Sequence, residues 1–317
     1  ALELLQGDRV EDRVASYVGL RSVEVRAGPD AVPRIWLNNA PLFQLGVLDQ
    51  GRWPDGIVTP PSVAAMEDEL RTVKSLGFNL VRTHATVAPA VFYAACDRLG
   101  LLVWQDMPGG FDSRHAPGGR HAGLAEVSVE EAALFRLEFA AVIDALRHFP
   151  SIVAWVPFNE AWGQHDTEAV IAWAMAYDPT RLVDGPSGWV DRGVGHMKDQ
   201  HAYPGPDMFP AAGGRASVLG EFGGLGLPID GHLSTRRDSW AYRVYETTDA
   251  FRRAYEQLIG RLLPLVDRGL SAAIYTQVSD VEDEVNGLMT YDRDVVKLDP
   301  KEVRTWHDRV YARAASR

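Results

Sequence analysis

Three observations predict that this sequence folds as a (β/α)8, or TIM, barrel. From about residue 43 the chain carries eight short apolar runs separated by stretches with a helical period. The runs are almost continuously apolar rather than alternating, as a parallel sheet covered on both faces demands. Most of them end abruptly in charged or amide side chains, where such barrels carry their chemistry. The stretch "SIVAWVPFNEAWGQ" (151–164) is the sharpest case, an apolar run that ends in Asn159 and Glu160.

Residues 1–38 stand outside the alternation. "ASYVGLRSVEVR" and "RIWLNN" are rich in β-formers and flank the turn-like "AGPD". They read as a strand or hairpin left from a preceding β-sandwich, with the barrel occupying 39–317. Its eight runs are "FQLGVL" (43–48), "NLVRTH" (79–84), "LLVWQD" (101–106), "IVAWVPFNE" (152–160), "RLVDGPS" (181–187), "HMKDQHAY" (196–203), "SVLGEFGG" (217–224) and "SAAIYTQVSD" (271–280). Between them, Val63, Met66, Leu70 and Val73 share one helix face, and Phe135, Phe139, Val142, Ile143 and Leu146 another. Ser128 and Glu131 have the spacing of a capping box. Asp166 or Thr167 suits the cap of a helix carrying Val170, Ile171, Trp173 and Ala174. A long helix is predicted over about 241–268 and a last one over 300–315. The gap between the fifth and sixth runs is too short for a helix.

Composition narrows the function. The 317 residues are 46% apolar, ample for a core, and the net charge of −11 argues against a nucleic-acid partner. No apolar run is long enough to cross a membrane, and no basic-then-apolar leader opens the chain. A soluble chain is expected, its compartment left open. Cys96 is the only cysteine, so neither an internal disulfide nor a cysteine metal site is available; it reads as a small core residue.

The run ends then supply the candidate site. They carry Arg82, Thr83 and His84; Gln105 and Asp106; Asn159 and Glu160; Asp184 and Ser187; His201 and Tyr203; Glu221; and Tyr275, Gln277 and Asp280. Charged groups beside an apolar core cost several kcal/mol unless paired or used. Glu160 and Glu221 leave the fourth and seventh runs, which face each other obliquely across the mouth. Two carboxyls about 5–5.5 Å apart there suit retaining glycoside hydrolysis through a covalent intermediate. Glu160 would be the acid, its pKa raised by the apolar wall and the second carboxylate. Glu221 would stay ionised as the nucleophile, held by Arg82 and the Tyr203 hydroxyl. Gly223 and Gly224 allow a tight turn and close approach of a ligand. Asn159 would bond a sugar hydroxyl. Trp104, Trp162, Trp189, Tyr203 and Tyr275 offer flat faces for sugar C–H groups, with Trp162 the leading platform.

At these residues the chain resembles glycoside hydrolase family 2, which holds β-galactosidases, β-glucuronidases and β-mannosidases. The resemblance rests on "GFNLVRTHATVAPAVFYAACDRLGLLVWQDMP", "IVAWVPFNEAWGQ", "LVDGPSGWVD", "QHAYPGP", "VLGEFGG" and "YTQVSDVEDEVNGLMTYDR", over about 77–293. It implies Glu160 as acid/base and Glu221 as nucleophile, with Asn159 beside the former. It also implies sugar contacts from Arg82, His84, Asp106, His201 and Tyr203, and preceding β-sandwich domains in the same full-length chain.

The chain departs from relatives in three places. Ala85 and Thr86 follow His84 where a basic residue is common. Asn286 is followed by Leu288 rather than by the lysine that would complete a uronate site. The ligands of the Mg²⁺ used by large β-galactosidases find no match. No cofactor is required by this reading; "DVEDEV" (280–285) suits a structural Ca²⁺ or Mg²⁺ on composition but reads as a solvated face. The first run lacks the His-x-His of a metal-dependent hydrolase. "GGFDSRHAPGGRHAG" (109–123) reads as a rim loop. The expected function is a retaining β-glycosidase, galactopyranosides first, then galactofuranosides or arabinosides. A carbohydrate-binding or inactive barrel is the alternative.

Overall fold

The structure is a computed structural model that describes residues 1–109, 127–160, 163–234 and 239–317. Two hairpins open the chain: β1 (Leu2–Gln6) with β2 (Arg9–Val14), and β3 (Val23–Ala27) with β4 (Pro33–Leu37), to which the short β5 (Ala40–Pro41) adds. The barrel strands are β6 (Gln44–Asp49), β7 (Leu80–Thr83), β8 (Leu102–Asp106), β9 (Ile152–Val156), β10 (Leu182–Val183), β11 (Met197–Ala202), β12 (Ala216–Gly223) and, after the minor strands β13 (Leu225–Gly226) and β14 (Arg243–Val244), β15 (Leu270–Thr276). All seven pairings of that sheet are parallel, in the order β10-β9-β8-β7-β6-β15-β12-β11. A parallel bridge between Asp184 and Met197 joins its two ends. The eight predicted runs are the eight barrel strands.

The helices are α1 (Val63–Ser75), α2 (Ala90–Leu99), α3 (Val129–Leu146), α4 (Thr167–Tyr177), α5 (Thr248–Gly260), α6 (Leu263–Asp267) and α7 (Pro300–Ala315). Ser128 and Glu131 form the predicted capping box on α3. Asp166 occupies the N-cap of α4, yet its backbone is left-handed and its side chain makes no capping bond. The helix expected over 241–268 is shorter: Arg243 and Val244 are extended, and the helical part is α5 followed by α6. Among the described residues no helix is long and apolar enough to cross a membrane. Cys96 is buried on α2, and burial pushes its thiol pKa up.

Strand alternation sorts the apolar side chains into two buried layers. One, between strands and helices, includes Val47, Phe139, Trp155, Phe222 and Tyr275. The other fills the barrel interior with Leu48, Leu80, Trp104, Val156, Leu182, Met197, Val218 and Ile274. Ile35 of β4, 1% exposed, belongs to the interior layer, and Val23, Val25 and Leu37 pack against it. The β3–β4 hairpin therefore closes the floor of the barrel, at the end opposite the polar strand termini.

Candidate active site

One step beyond the interior apolar layer, the same inward alternation raises Arg82 over Leu80, Asp106 over Trp104, His201 and Asp199 over Met197, and Thr276 over Ile274. Glu221 is the exception that reveals how the site is built. On β12, Ala216 and Val218 are inward, so strict alternation would turn residue 221 outward. The register breaks there: Leu219 pairs with Gln200 and Glu221 with His201, so Gly220 is an inserted bulge residue. The bulge turns Glu221 into the barrel. Only glycine fits, because a Cβ at 220 would lie 2.0 Å from Asp199 Oδ2. The bulge's own polar groups are used in place: Gly220 N–H donates to Asp199 Oδ1 (2.5 Å), and its carbonyl accepts from Arg82 Nη1 (3.1 Å).

Arg82, fully buried, is the hub. Its Nε and Nη2 donate to Asp106 Oδ1 and Oδ2 (2.9 and 3.0 Å), Nη2 also to Asn159 Oδ1 (2.9 Å), and Nη1 faces Glu221 Oε1 at 3.4 Å. Burial opposes its charge, but Asp106 and Glu221 outweigh it and raise the pKa further. Burial likewise works against the Asp106 carboxylate, and Arg82 and His84 reverse the effect and keep it ionised. His84 Nδ1 sits 3.0 Å from Asp106 Oδ2 and 3.8 Å from Glu221 Oε1.

His201 stands between the two glutamates. Its Nδ1 is 3.1 Å from Glu160 Oε1 and 3.4 Å from Glu221 Oε2, while Nε2 reaches Ser187 Oγ at 2.8 Å, which in turn donates to Asp199 Oδ2 at 2.6 Å. Burial alone would lower the His201 pKa; the Glu221, Asp199 and Glu160 carboxylates raise it to about 10. The ring is thus an imidazolium that donates from both nitrogens. A carboxylate oxygen of Glu160 and one of Glu221 lie within 4.8 Å of each other and of His201 Nδ1. Tyr203 Oη donates to Glu221 Oε2 (2.5 Å) and meets Thr276 Oγ1 (2.7 Å). Burial pushes the Glu221 carboxyl up, but His201, His84, Arg82 and the Tyr203 hydrogen bond together pull it below its ordinary value. Beneath this layer burial and the Asp199 charge push the Asp184 carboxyl well above the ordinary carboxylate range.

Glu160 is held differently. Its φ of +54° is left-handed, a conformation that a non-glycine residue adopts at a cost of about 1 kcal/mol or more. The backbone is pinned there: Glu160 N–H donates to Ser187 O (2.6 Å), and Gln164 Nε2 donates to the Glu160 carbonyl (2.8 Å). Gly223 and Gly224 have φ of +91° and +61°, and a Cβ at 224 would strike the Tyr242 ring, so the chain leaves β12 through a turn only glycine makes.

These groups open into a cavity of about 690 Å³ whose wall includes His84, Asn159, Glu160, Trp189, Tyr203 and Glu221. Arg82, Asp106 and His201 lie behind that wall, Arg82 against Asp106 and Glu221 and His201 against both glutamates. Two expectations are corrected. Tyr275 is fully buried in the outer layer, its hydroxyl directed to Leu225 O, because Thr276 takes the inward position beside it. Trp104 points inward but lies one layer below the rim, bonded to Gln44 Oε1. Trp162 and most of the 109–123 loop lie outside the described residues.

Two of the four acids of 280–285 are engaged: Asp280 pairs with the buried Lys297 at 2.6 Å, and Gln277 donates to Glu284. Asn286 and Leu288 are buried. Sequence reasoning missed Trp240, Tyr242, Gln50 and Glu284, all on the cavity wall. Tyr242 stacks on Tyr203 with ring centres 3.7 Å apart, and Trp240 meets Tyr242 edge-on. Their signal was the aromatic pair in "SWAYRVY", which the helical reading of 241–268 absorbed.

Residues 34–199, just over half of the chain, match the TIM barrel domain of glycosyl hydrolases family 2; Glu221 lies beyond the matched stretch. The chain is 28% identical over 183 residues to a β-galactosidase of Pseudoalteromonas haloplanktis, covering 58% of this chain and 16% of that protein. It is 31% identical over 188 residues to a β-galactosidase of Aeromonas hydrophila, covering 59% and 17%. It thus aligns with about a sixth of the length of these curated relatives. Among solved structures, the Ruminococcus gnavus β-glucuronidase superposes with a TM-score of 0.72 at 16% identity, covering 97% of this chain and 56% of that one. The Eisenbergiella tayi β-galacturonidase bound to galacturonate gives 0.68 at 20% identity, covering 92% and 55%. At these identities the superpositions speak for the fold, and with the matched barrel region they lead to one assignment: the chain belongs to glycoside hydrolase family 2.

Proposed function

We propose that this barrel hydrolyses a terminal β-linked sugar with retention of configuration, with Glu221 as nucleophile and Glu160 as acid/base. The observation that carries the reading is the separation of the two carboxylates, oxygens within 4.8 Å, which suits direct attack rather than an intervening water. Glu221 attacks the anomeric carbon while Glu160 gives its proton to the leaving oxygen. A glycosyl ester on Glu221 and a free alcohol result. Glu160, now a carboxylate, takes a proton from water; that water displaces Glu221 and releases the sugar.

The surroundings support this division of labour. His201, His84, Arg82 and Tyr203 favour the ionised form of Glu221, as a nucleophile needs. Glu160 stands nearer solvent, its side chain 13% exposed against 7% for Glu221, where a leaving group departs and water arrives. Asn159, fixed by Arg82, lies on the wall beside Glu160 for a sugar hydroxyl. Trp189 and the Trp240–Tyr242 pair offer flat faces to the sugar or its aglycone. These steps use side chains and water and call on no metal or cofactor. A galactopyranoside is the first substrate proposed, with galactofuranosides and arabinosides next.

The test is turnover of nitrophenyl glycosides by two variants. Glu221→Ala should lose activity by about 10⁴-fold or more, and azide should restore release as a glycosyl azide of inverted configuration. Glu160→Ala should slow substrates with poor leaving groups far more than dinitrophenyl glycosides. Near-wild-type rates in either variant would reassign the roles. Binding without release by the unaltered chain would favour a carbohydrate-binding barrel.

A further inference from the structure

The described cavity wall carries three glutamates, Glu160, Glu221 and Glu284, and neither lysine nor arginine. The first two are absorbed by the proposed chemistry; the third is not. Glu284 follows β15 and is held by two amides: Gln277 Nε2 donates to its Oε2 at 2.7 Å and Gln50 Nε2 to the same oxygen at 3.4 Å. Among the described residues neither bond falls on Oε1, and no cation pairs with this carboxylate.

The loop that presents Glu284 is built to keep it there. Glu284 bridges in parallel to Trp240, with Trp240 N–H donating to Asp283 O and Val285 N–H to Trp240 O. Behind it the buried Lys297 donates to both Asp280 Oδ1 (2.6 Å) and Val285 O (3.1 Å). A carboxylate on so braced a backbone is preorganised. Burial raises its pKa, the Gln277 hydrogen bond and the His84 charge pull it back, and the Glu221 carboxylate that it faces pushes it up again.

We propose that Glu284 determines the substrate class, accepting a hydrogen bond from a hydroxyl of a neutral sugar and repelling glycosides that carry a carboxylate. This rests on the glycosidase reading above. A hydroxyl donates to a carboxylate in a charge-assisted bond. A uronate in its place would bring a further negative charge beside Glu284 and Glu221, on a described wall that offers neither lysine nor arginine to pair with it, the kind of repulsion that sets specificity against a close analogue.

The experiment compares nitrophenyl β-galactoside with nitrophenyl β-glucuronide and β-galacturonide on the unaltered chain and on Glu284→Gln. The same two proteins are titrated calorimetrically with a neutral aldonolactam and a uronic lactam. The unaltered chain should favour the neutral member of each pair by about 100-fold or more, and Glu284→Gln should narrow the ratio by about 10-fold or more. Preference for the uronic member, no lactam binding at all, or an unchanged ratio in Glu284→Gln would overturn the proposal. The lactams keep the two readings apart: selective lactam binding without turnover sinks the hydrolase and leaves the selectivity standing.

Discussion

The two ends of this barrel are made from the same eight strands and follow opposite rules. At the floor, Ile35 enters an apolar interior of Leu80, Val153, Val218 and Ile274. At the mouth, one layer above Leu80 and Trp104, the inward positions are Arg82, Asp106, Asp199 and His201. The floor is an antiparallel hairpin set against the starts of the parallel strands. The mouth holds a glycine bulge, a left-handed glutamate and a histidine kept charged by its neighbours. The difference separates what holds the sheet from what works at its edge: burial of apolar area supports the floor, while the mouth spends part of that stability on side chains held in costly places.

If that division is right, substitutions at the two ends should fail in opposite ways. Glu221→Gln should abolish turnover by about 10⁴-fold or more and shift the denaturant midpoint less than Ile35→Ala does. Ile35→Ala should cost about 2–5 kcal/mol of stability, read by urea unfolding, with the activity per folded molecule retained. Loss of turnover at the floor without loss of stability would break the comparison.

Gly220→Ala should do both kinds of damage. The methyl meets the Asp199 carboxylate, so about 1–3 kcal/mol of stability should go, and a displaced Glu221 should lower kcat/KM by about 100-fold. An active, fully stable Gly220→Ala would mean that the bulge does not aim the carboxylate.

The last prediction concerns pH. The folded His201 pKa, about 10, lies above its ordinary 6.5. A raised value stabilises the fold fully below pH about 6.5, and this contribution is lost as pH rises through the window to about 10. Melting temperature should therefore fall more steeply between pH 7 and pH 10 in the unaltered chain than in His201→Gln. Parallel slopes would show that the ring is not charged in the fold.

Much of this was legible in residue order. The strands announced themselves because both faces of a parallel barrel strand are buried and so read as apolar runs. Asn159 and Glu160 stood out because a carboxylate after such a run has few structural excuses. Facing was legible only where alternation held. Tyr275 and Thr276 are neighbours, and composition alone did not say which points inward; Trp104 points the right way but one layer too deep. Glu221 lies on the inward side only because Gly220 is inserted, a register event with no counterpart in a period-two pattern. Glu284, Trp240 and Tyr242 reach the cavity from loops, whose course depends on partners far away in sequence, such as Lys297.

The hairpin under the barrel has a practical consequence for anyone recombining modules of this family. Counting strands would place a splice near residue 39, just ahead of β6. A cut there discards Ile35 with its hairpin and leaves an uncorked axis into which water can climb toward Trp104 and the layer that carries Arg82. The graftable unit should begin upstream of Val23, so that the stopper travels with the vessel it seals.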